Sequence, residues 1–351
     1  MRTDSERDVF AQVSDRRLVG RFLADAVSAR ILQTAIEVGL IDSIAVGESV
    51  ERRRLAGRLG LDERAVEFLL GRLVHSGIIE VEQSCASLSL DFRRAWEHRE
   101  LIEIELEFAN LTAPDFFDRL TTAVLDPSRF FDESELHALF DYAKCESDDP
   151  AHRRHIERWV RYTTLLTRYE APILLSHLDL SNVSDLLEIG GNSGELALAF
   201  CREYSKLRVA ISDLPAVCRI GREHVGRFPE AERIEFLPGD PTERPPHRVH
   251  DVVLFKSMLH DWPTTRIEEF LQYAFDSLRP GGRLIVFERA PIDAHTELGY
   301  GSIPLLLFFR AYRDADEYRV LVESAGFTDF ESSLVEVDLP FHLFSARRPM
   351  G

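Results

Sequence analysis

An α/β chain in two parts is predicted: a mainly helical N-terminal module followed by a doubly wound domain built on a mostly parallel sheet. Two observations carry this. From Asp185 onward, apolar runs of strand length alternate with helical patterns, which calls for a parallel sheet covered on both faces. Ahead of that alternation, three helical patterns and one short strand-like run follow one another. A third feature marks where a ligand would approach. The apolar strand Leu186-Leu-Glu-Ile breaks into Gly190-Gly-Asn-Ser-Gly194 and reopens as a helix.

At 351 residues the chain exceeds the usual size of a single hydrophobic core, so one large domain with a smaller companion is expected. Apolar residues at 45% and charged residues at 29% fit an ordinary globular protein, and no run reaches the roughly 20 apolar residues that span a bilayer. The opening Met-Arg-Thr-Asp-Ser-Glu-Arg-Asp lacks the apolar core of a signal peptide, which leads to a cytoplasmic expectation. A net charge of -18 repels phosphate backbones and argues against nucleic acid as the main substrate. Cys85, Cys145, Cys201 and Cys218 include no C-x-x-C pair, which favours reduced, mostly buried thiols over a zinc site or a disulfide framework.

The first element is a helical pattern over residues 17 to 40, with Leu18, Phe22, Ala26, Ala29, Leu32, Ala35 and Ile36 on its apolar stripe. Helical patterns over Val50 to Leu59 and Asp62 to His75 follow, then the strand-like Ile78-Ile-Glu-Val81, and together they spell a winged-helix module. DNA binding is the obvious role for such a module, but residues 1 to 90 hold 12 Arg against 14 Asp or Glu. A DNA reader presents a basic face, so dimerisation or packing is the better reading. Residues 99 to 175 read as helices rich in aromatics, most of them core and some, Trp159 and Tyr162 among them, candidates to line a pocket for a flat organic substrate. Strands are then expected near Asp185 to Ile189, Arg208 to Ser212, Ile234 to Leu237, Asp251 to Phe255 and Arg283 to Glu288. The tail, Thr328 to Arg348, reads as a hairpin closing the sheet edge. Three segments result: 1–98, 99–175 and 176–351.

Ligands of such sheets bind at the carboxyl ends of the strands. Gly190 and Gly191 end the first strand, and the spacing of the turn is not the G-x-G-x-x-G of dinucleotide enzymes. Asp213 ends the second strand, where a carboxylate can accept both hydroxyls of a ribose. Asp240 follows the third and suits the amino edge of an adenine. Each acid also has a structural reading: Asp213 as the cap of a helix beginning near Pro215, Asp240 as a turn residue before Pro241. After the fourth strand stands Lys256-Ser-Met-Leu-His-Asp-Trp-Pro263, which puts an imidazole on the same rim.

These motifs, with Leu278-Arg-Pro-Gly-Gly-Arg-Leu-Ile-Val-Phe-Glu288, resemble in order those of S-adenosylmethionine-dependent O-methyltransferases of the plant caffeate and bacterial polyketide type. The likeness covers nearly the whole chain. It implies a winged-helix dimerisation domain, hence a homodimer, on a Rossmann-like catalytic domain. It also implies that Glu188, Gly190, Gly191, Asp213, Leu214, Asp240, Pro241, Lys256 and Ser257 surround S-adenosylmethionine, with Trp262 near its adenine. The chain departs from the family pattern at Glu188, Asn192 and Pro241, where an aspartate, a glycine and an aromatic or large apolar residue are usual.

Methyl transfer to a phenol needs alignment and removal of a proton, and an imidazole suits the second task. His260 is the candidate base and Glu288, ending the next strand, the acid that orients it. Asp261 is an alternative partner whose side chain points away if the strand's alternation continues. The family carries a second glutamate where this chain has Tyr312, which can hydrogen-bond His260 but supplies no charge near neutral pH. Met258 and Phe309 complete the expected substrate contacts. The favoured function is O-methylation of a small aromatic metabolite without a metal. The alternatives are C- or N-methylation, a relative that has lost methyl transfer, a ligand-sensing regulator, and a metal held by His260, Asp261 and His295.

Overall fold

A computed structural model describes residues 25–350 except 48, 147, 148, 247, 294, 297 and 338, so Leu18 and Phe22 of the first helical pattern lie outside the described residues. The chain divides into two compact units, one running to Asn110 and including Leu298–Ser302, the other comprising the rest.

In the first unit the elements are α1 (Asp25–Glu37), α2 (Leu40–Ala45), β1 (Val50–Glu51), α3 (Arg52–Leu59), α4 (Glu63–His75), β2 (Ile79–Glu82), β3 (Cys85–Leu88) and α5 (Leu90–Trp96). The helical pattern read from Val50 therefore starts with a two-residue strand, which pairs antiparallel with β3 at Val50↔Ala86. The sheet order is β1-β3-β2. Asp62 caps α4 by accepting from the Ala65 N–H, which fixes where that helix begins. The helices bury Ile41, Ile44, Leu55, Leu69, Leu70 and Leu73 against Ile79 and Leu88 of the ribbon.

The helix α6 (Arg99–Leu125) runs unbroken for 27 residues. The division between the two compact units falls inside it, after Asn110. The second unit continues with α7 (Pro127–Glu133), α8 (Glu135–Leu139), a 3-10 turn (Tyr142–Cys145) and α9 (Arg153–Ser176).

Then come β4 (Asp185–Ile189), α10 (Glu195–Glu203), β5 (Arg208–Asp213), α11 (Pro215–Val225), β6 (Ile234–Pro238), β7 (His250–Lys256), α12 (Thr264–Ser277), β8 (Leu278–Arg289), α13 (Ile303–Leu306), α14 (Ala315–Ser324), β9 (Thr328–Glu336) and β10 (Pro340–Arg347). The seven strands order as β6-β5-β4-β7-β8-β10-β9, the first five parallel and the last two antiparallel. The tail is thus the expected hairpin. Strand alternation sends Leu186, Ile211, Leu254 and Phe287 into one core with α9, α10 and α11, and Leu187, Ile189, Val253 and Val286 into another with α12 and α14.

The chain leaves β4 toward β5 and β6, then returns to lay β7 on the other side of β4. A crevice opens where the order reverses. The register sets Ile189 beside Ser212 and Phe255, Asp213 beside Pro238, and Lys256 beside Phe287, so the residues after these strands share one rim. Among the described residues no helix is long and apolar enough to cross a membrane.

Candidate active site

A cavity of about 170 Å³ opens on this rim and is lined only by residues of the second unit. At one end lies the glycine turn. Gly190 has φ +74, and a Cβ placed there would meet Met258 Cγ at 2.5 Å; one on Gly191 would meet Glu188 Cδ at 2.9 Å. Only bare backbone fits between these side chains, and the cavity floor is that backbone.

Asp213 lines the cavity beside the turn. Its Oδ2 accepts the Asn192 N–H and its Oδ1 the Leu214 N–H, both at 2.7 Å. Those bonds fix the carboxylate while leaving one lone pair on each oxygen. The helix after it begins without a side-chain cap, so the capping role considered for Asp213 is not the one it has. Burial raises its pKa to about 6 against the pull of the two N–H groups. Glu188 is 2% exposed, and burial pushes it to about 8 in spite of Lys256.

Asp240 and Pro241 also line the cavity. Here the turn reading is realised as well: Asp240 Oδ1 accepts from the Thr242 N–H at 2.9 Å, while Oδ2 is ion-paired with Arg266. Lys256 Nζ donates to Thr167 at 3.1 Å and is ion-paired with Glu170, and Ser257 turns the chain at φ +48. Leu214 and Trp262 complete the wall at this end.

At the other end stands His260. Glu288, wholly buried, accepts the N–H groups of Met258 and Leu259 through Oε1, both at 2.6 Å, and His260 Nδ1 through Oε2 at 2.7 Å. One carboxylate thereby shapes the loop and holds the ring. An ionised acceptor at Nδ1 places the proton there and leaves the lone pair on Nε2. Burial pulls the imidazole pKa down, but Asp261 and then Glu288 push it up, and the balance is upward. Burial raises Glu288 while His260 lowers it, and its balance is downward.

The strand alternation that would turn Asp261 away stops at Lys256, because Leu259–Asp261 is a 3-10 turn. Asp261 faces the cavity, with Oδ1 3.4 Å from His260 Nε2. The expected hydrogen bond from Tyr312 to His260 takes another form. The Tyr312 hydroxyl donates to the Leu305 carbonyl at 2.9 Å, and its ring meets the imidazole edge to face at 5.4 Å between centroids.

Trp159, Tyr162 and Met258 line the cavity as expected, but Phe309 does not. Leu305, Phe308 and Tyr312 recur at helical spacing and face inward, leaving Phe309 turned away beneath the Arg310 guanidinium at 5.2 Å. His295 is exposed in a turn held by Asp293, and among the described residues no group of three His, Cys, Asp or Glu is placed to hold a metal. The three-ligand reading is not assembled.

Three charged residues on the cavity wall escaped the sequence reading: Glu170, 2% exposed, Arg289, whose guanidinium donates to Glu170 at 2.7 Å, and Glu195, paired with Arg168 and His224. A signal existed for the first. Thr163, Leu166, Thr167 and Glu170 share one face of α9, so a lone acid falls among residues that face inward.

The O-methyltransferase domain family matches residues 117–328, more than half of the chain. The chain belongs to that family. As an O-methyltransferase it is an enzyme whose methyl donor is S-adenosylmethionine. The glycine cradle and the backbone-held Asp213 fit an adenosyl ligand on geometry alone.

This O-methyltransferase is 25% identical over 295 residues to the 3-hydroxy-5-methyl-1-naphthoate 3-O-methyltransferase of Streptomyces sahachiroi, covering 75% of this chain and 76% of that one. It is 26% identical over 325 residues to the mitomycin biosynthesis 6-O-methyltransferase of Streptomyces lavendulae, covering 90% of both. A rhesus macaque acetylserotonin O-methyltransferase matches at 30% over 165 residues, which is 46% of its length. In fold, human N-acetylserotonin methyltransferase, solved in complex with S-adenosylmethionine, superposes with a TM-score of 0.75 at 20% identity, over 95% of this chain and 98% of that one.

Proposed function

We propose that this enzyme methylates a phenolic oxygen of a small aromatic metabolite, with His260 as general base and Glu288 orienting it, and that it works as a homodimer through its N-terminal winged-helix module. The observation that carries the reading is the imidazole itself: Nδ1 is committed to a buried carboxylate, and the ring stands on a cavity walled by Trp159, Tyr162 and Phe308. A flat acceptor suits such walls. The naphthoate, mitomycin and acetylserotonin enzymes to which the chain is similar bear names that fit an aromatic acceptor.

S-adenosylmethionine, when bound, supplies a methyl group already electrophilic on a sulfonium. Gly190, Gly191, Asp213 and Leu214 would hold its adenosyl part, with Asp240, Pro241 and Trp262 on the adenine side and Glu188, Lys256 and Ser257 toward its amino-acid part. His260 takes the proton of the acceptor hydroxyl on Nε2. Glu288 keeps the opposite nitrogen protonated and stabilises the imidazolium that results.

Replacing His260 with alanine is expected to lower kcat toward a panel of hydroxynaphthoates and other phenols by on the order of 10²–10⁴-fold. Calorimetric affinity for S-adenosylhomocysteine should stay as in the parent. Turnover retained at the parent rate would sink the base assignment.

A further inference from the structure

We infer that Asp261, held by Tyr142, is the second carboxylate of the catalytic base, standing at the nitrogen that receives the proton. The inference rests on His260 being that base. Taking up a proton in a closed pocket creates an imidazolium, and burial makes that cation costly unless negative charge stands close to it. Only 8% of the His260 side chain is exposed. Glu288 answers at Nδ1, on the side remote from the acceptor. Tyr312 brings a ring and no charge. Asp261 Oδ1, 3.4 Å from Nε2, stands where the new N–H forms.

An acid so enclosed tends to keep its own proton, and a neutral Asp261 would be of no use to the imidazolium. Burial raises it on balance, and three groups oppose that rise: His260, the Tyr142 hydroxyl and Arg289. That hydroxyl donates to Asp261 Oδ2 at 2.6 Å. Tyr142 is fixed in turn, stacked on Trp262 at 5.8 Å with 23° between planes and edge-on to Trp159 at 5.8 Å. Its own proton stays on, because burial and then Asp261 hold the phenol well above its ordinary range. Tyr142 is therefore a positioning residue, acting on the base through Asp261.

Other groups near the imidazole do not take this part. Arg289 of β8 opposes protonation, and the Phe308 ring, 5.7 Å away edge to face, is uncharged. Both carboxylates favour the protonated ring, Asp261 through its charge and Glu288 through its charge and its hydrogen bond. The consequence has a sign. A carboxylate at Nε2 makes His260 the stronger base but keeps it protonated to higher pH, so kcat climbs as the pH rises through the His260 titration.

The test uses the full chain with ¹⁵N-labelled histidine and no cofactor, His260 being assigned from the signal missing in the His260→Ala protein. Asp261→Asn and Tyr142→Phe are both expected to move the His260 titration to lower pH, the first further than the second. The acid limb of the kcat profile should follow. At its plateau Asp261→Asn should lose about tenfold or more in kcat, with affinity for S-adenosylhomocysteine unchanged, and Asp261→Glu should recover part of the loss. Thermal melts check that each variant folds; if Tyr142→Phe does not, Asp261→Asn decides alone. A His260 titration in Asp261→Asn that coincides with the parent overturns the inference. If His260→Ala is inactive while that titration is unmoved, only the role of Asp261 falls; if His260→Ala turns over normally, the base reading falls first.

Discussion

At the glycine-turn end of the cavity the main groups come from strand ends or the residues just after them, whereas the base end is assembled from pieces far apart in the chain. Asp213 is fixed by the N–H groups of Asn192 and Leu214, all within two consecutive strand ends. The hydrogen bond from Tyr142 to Asp261 joins residues 119 positions apart. One end is held by backbone geometry that any sequence with the same turns reproduces. The other depends on side chains meeting once the helices have packed. Cofactor binding should therefore tolerate changes at the base end, while catalysis should be lost by single substitutions there.

The largest effect expected from this contrast is at Glu288. Glutamine keeps one oxygen for the Met258 and Leu259 N–H groups, but the amide nitrogen now opposes His260 Nδ1 and cannot accept its proton. In Glu288→Gln, kcat should fall by on the order of 10³-fold, with calorimetric affinity for S-adenosylhomocysteine held within about twofold. An equal loss in both would show that the two ends are not separable.

Asp213 is the converse case. Each of its oxygens already accepts a backbone N–H, so asparagine must turn an N–H₂ against one of them and offers a ribose one acceptor fewer. Asp213→Asn should weaken S-adenosylhomocysteine binding by roughly tenfold to a hundredfold, about 1.5–3 kcal/mol for a bond to a charged group, while kcat at saturating cofactor changes little. Because burial sets this carboxyl at about 6, the parent's affinity should fall as the pH drops through that value and the variant's should not. Parallel pH profiles for the two proteins would count against Asp213 as the charged contact.

The same contrast explains what the sequence could disclose. Gly190, Asp213, Asp240 and His260 each follow an apolar run, and a parallel sheet brings the ends of such runs to one rim, so the fold, the glycine-turn end and the imidazole of the base end were legible. Phe308 and Phe309 are adjacent, and only the phase of a short helical segment decides which of them faces the cavity. Asp261 points away from His260 only if the alternation of β7 continues, and the positive φ at Ser257 and the 3-10 turn after it end that alternation. Tyr142 stood among ten aromatics with nothing to single it out, since its partner is set by tertiary packing. Glu170 broke an inward-facing stripe on α9 and could have been noticed.

The smallest effect concerns the cost of keeping an acid beneath the glycine turn. Glu188 lies under Gly191, and burial, only partly offset by Lys256, lifts its pKa from an ordinary 4.5 to about 8. Between those values the folded chain binds a proton that the unfolded chain has released. The stability this contributes is complete below about 4.5, declines as the pH rises and is gone above about 8. Glutamine has no proton to lose, so Glu188→Gln should lack that slope. Other buried carboxyls titrate alike in both proteins and cancel in the difference. The variant's Tm should therefore differ little from the parent's at low pH and exceed it by about 2 °C or more in alkaline buffer. A difference in Tm that stays constant across this range would mean that Glu188 is already ionised in the folded protein, and that the turn end holds its charge as openly as the base end does.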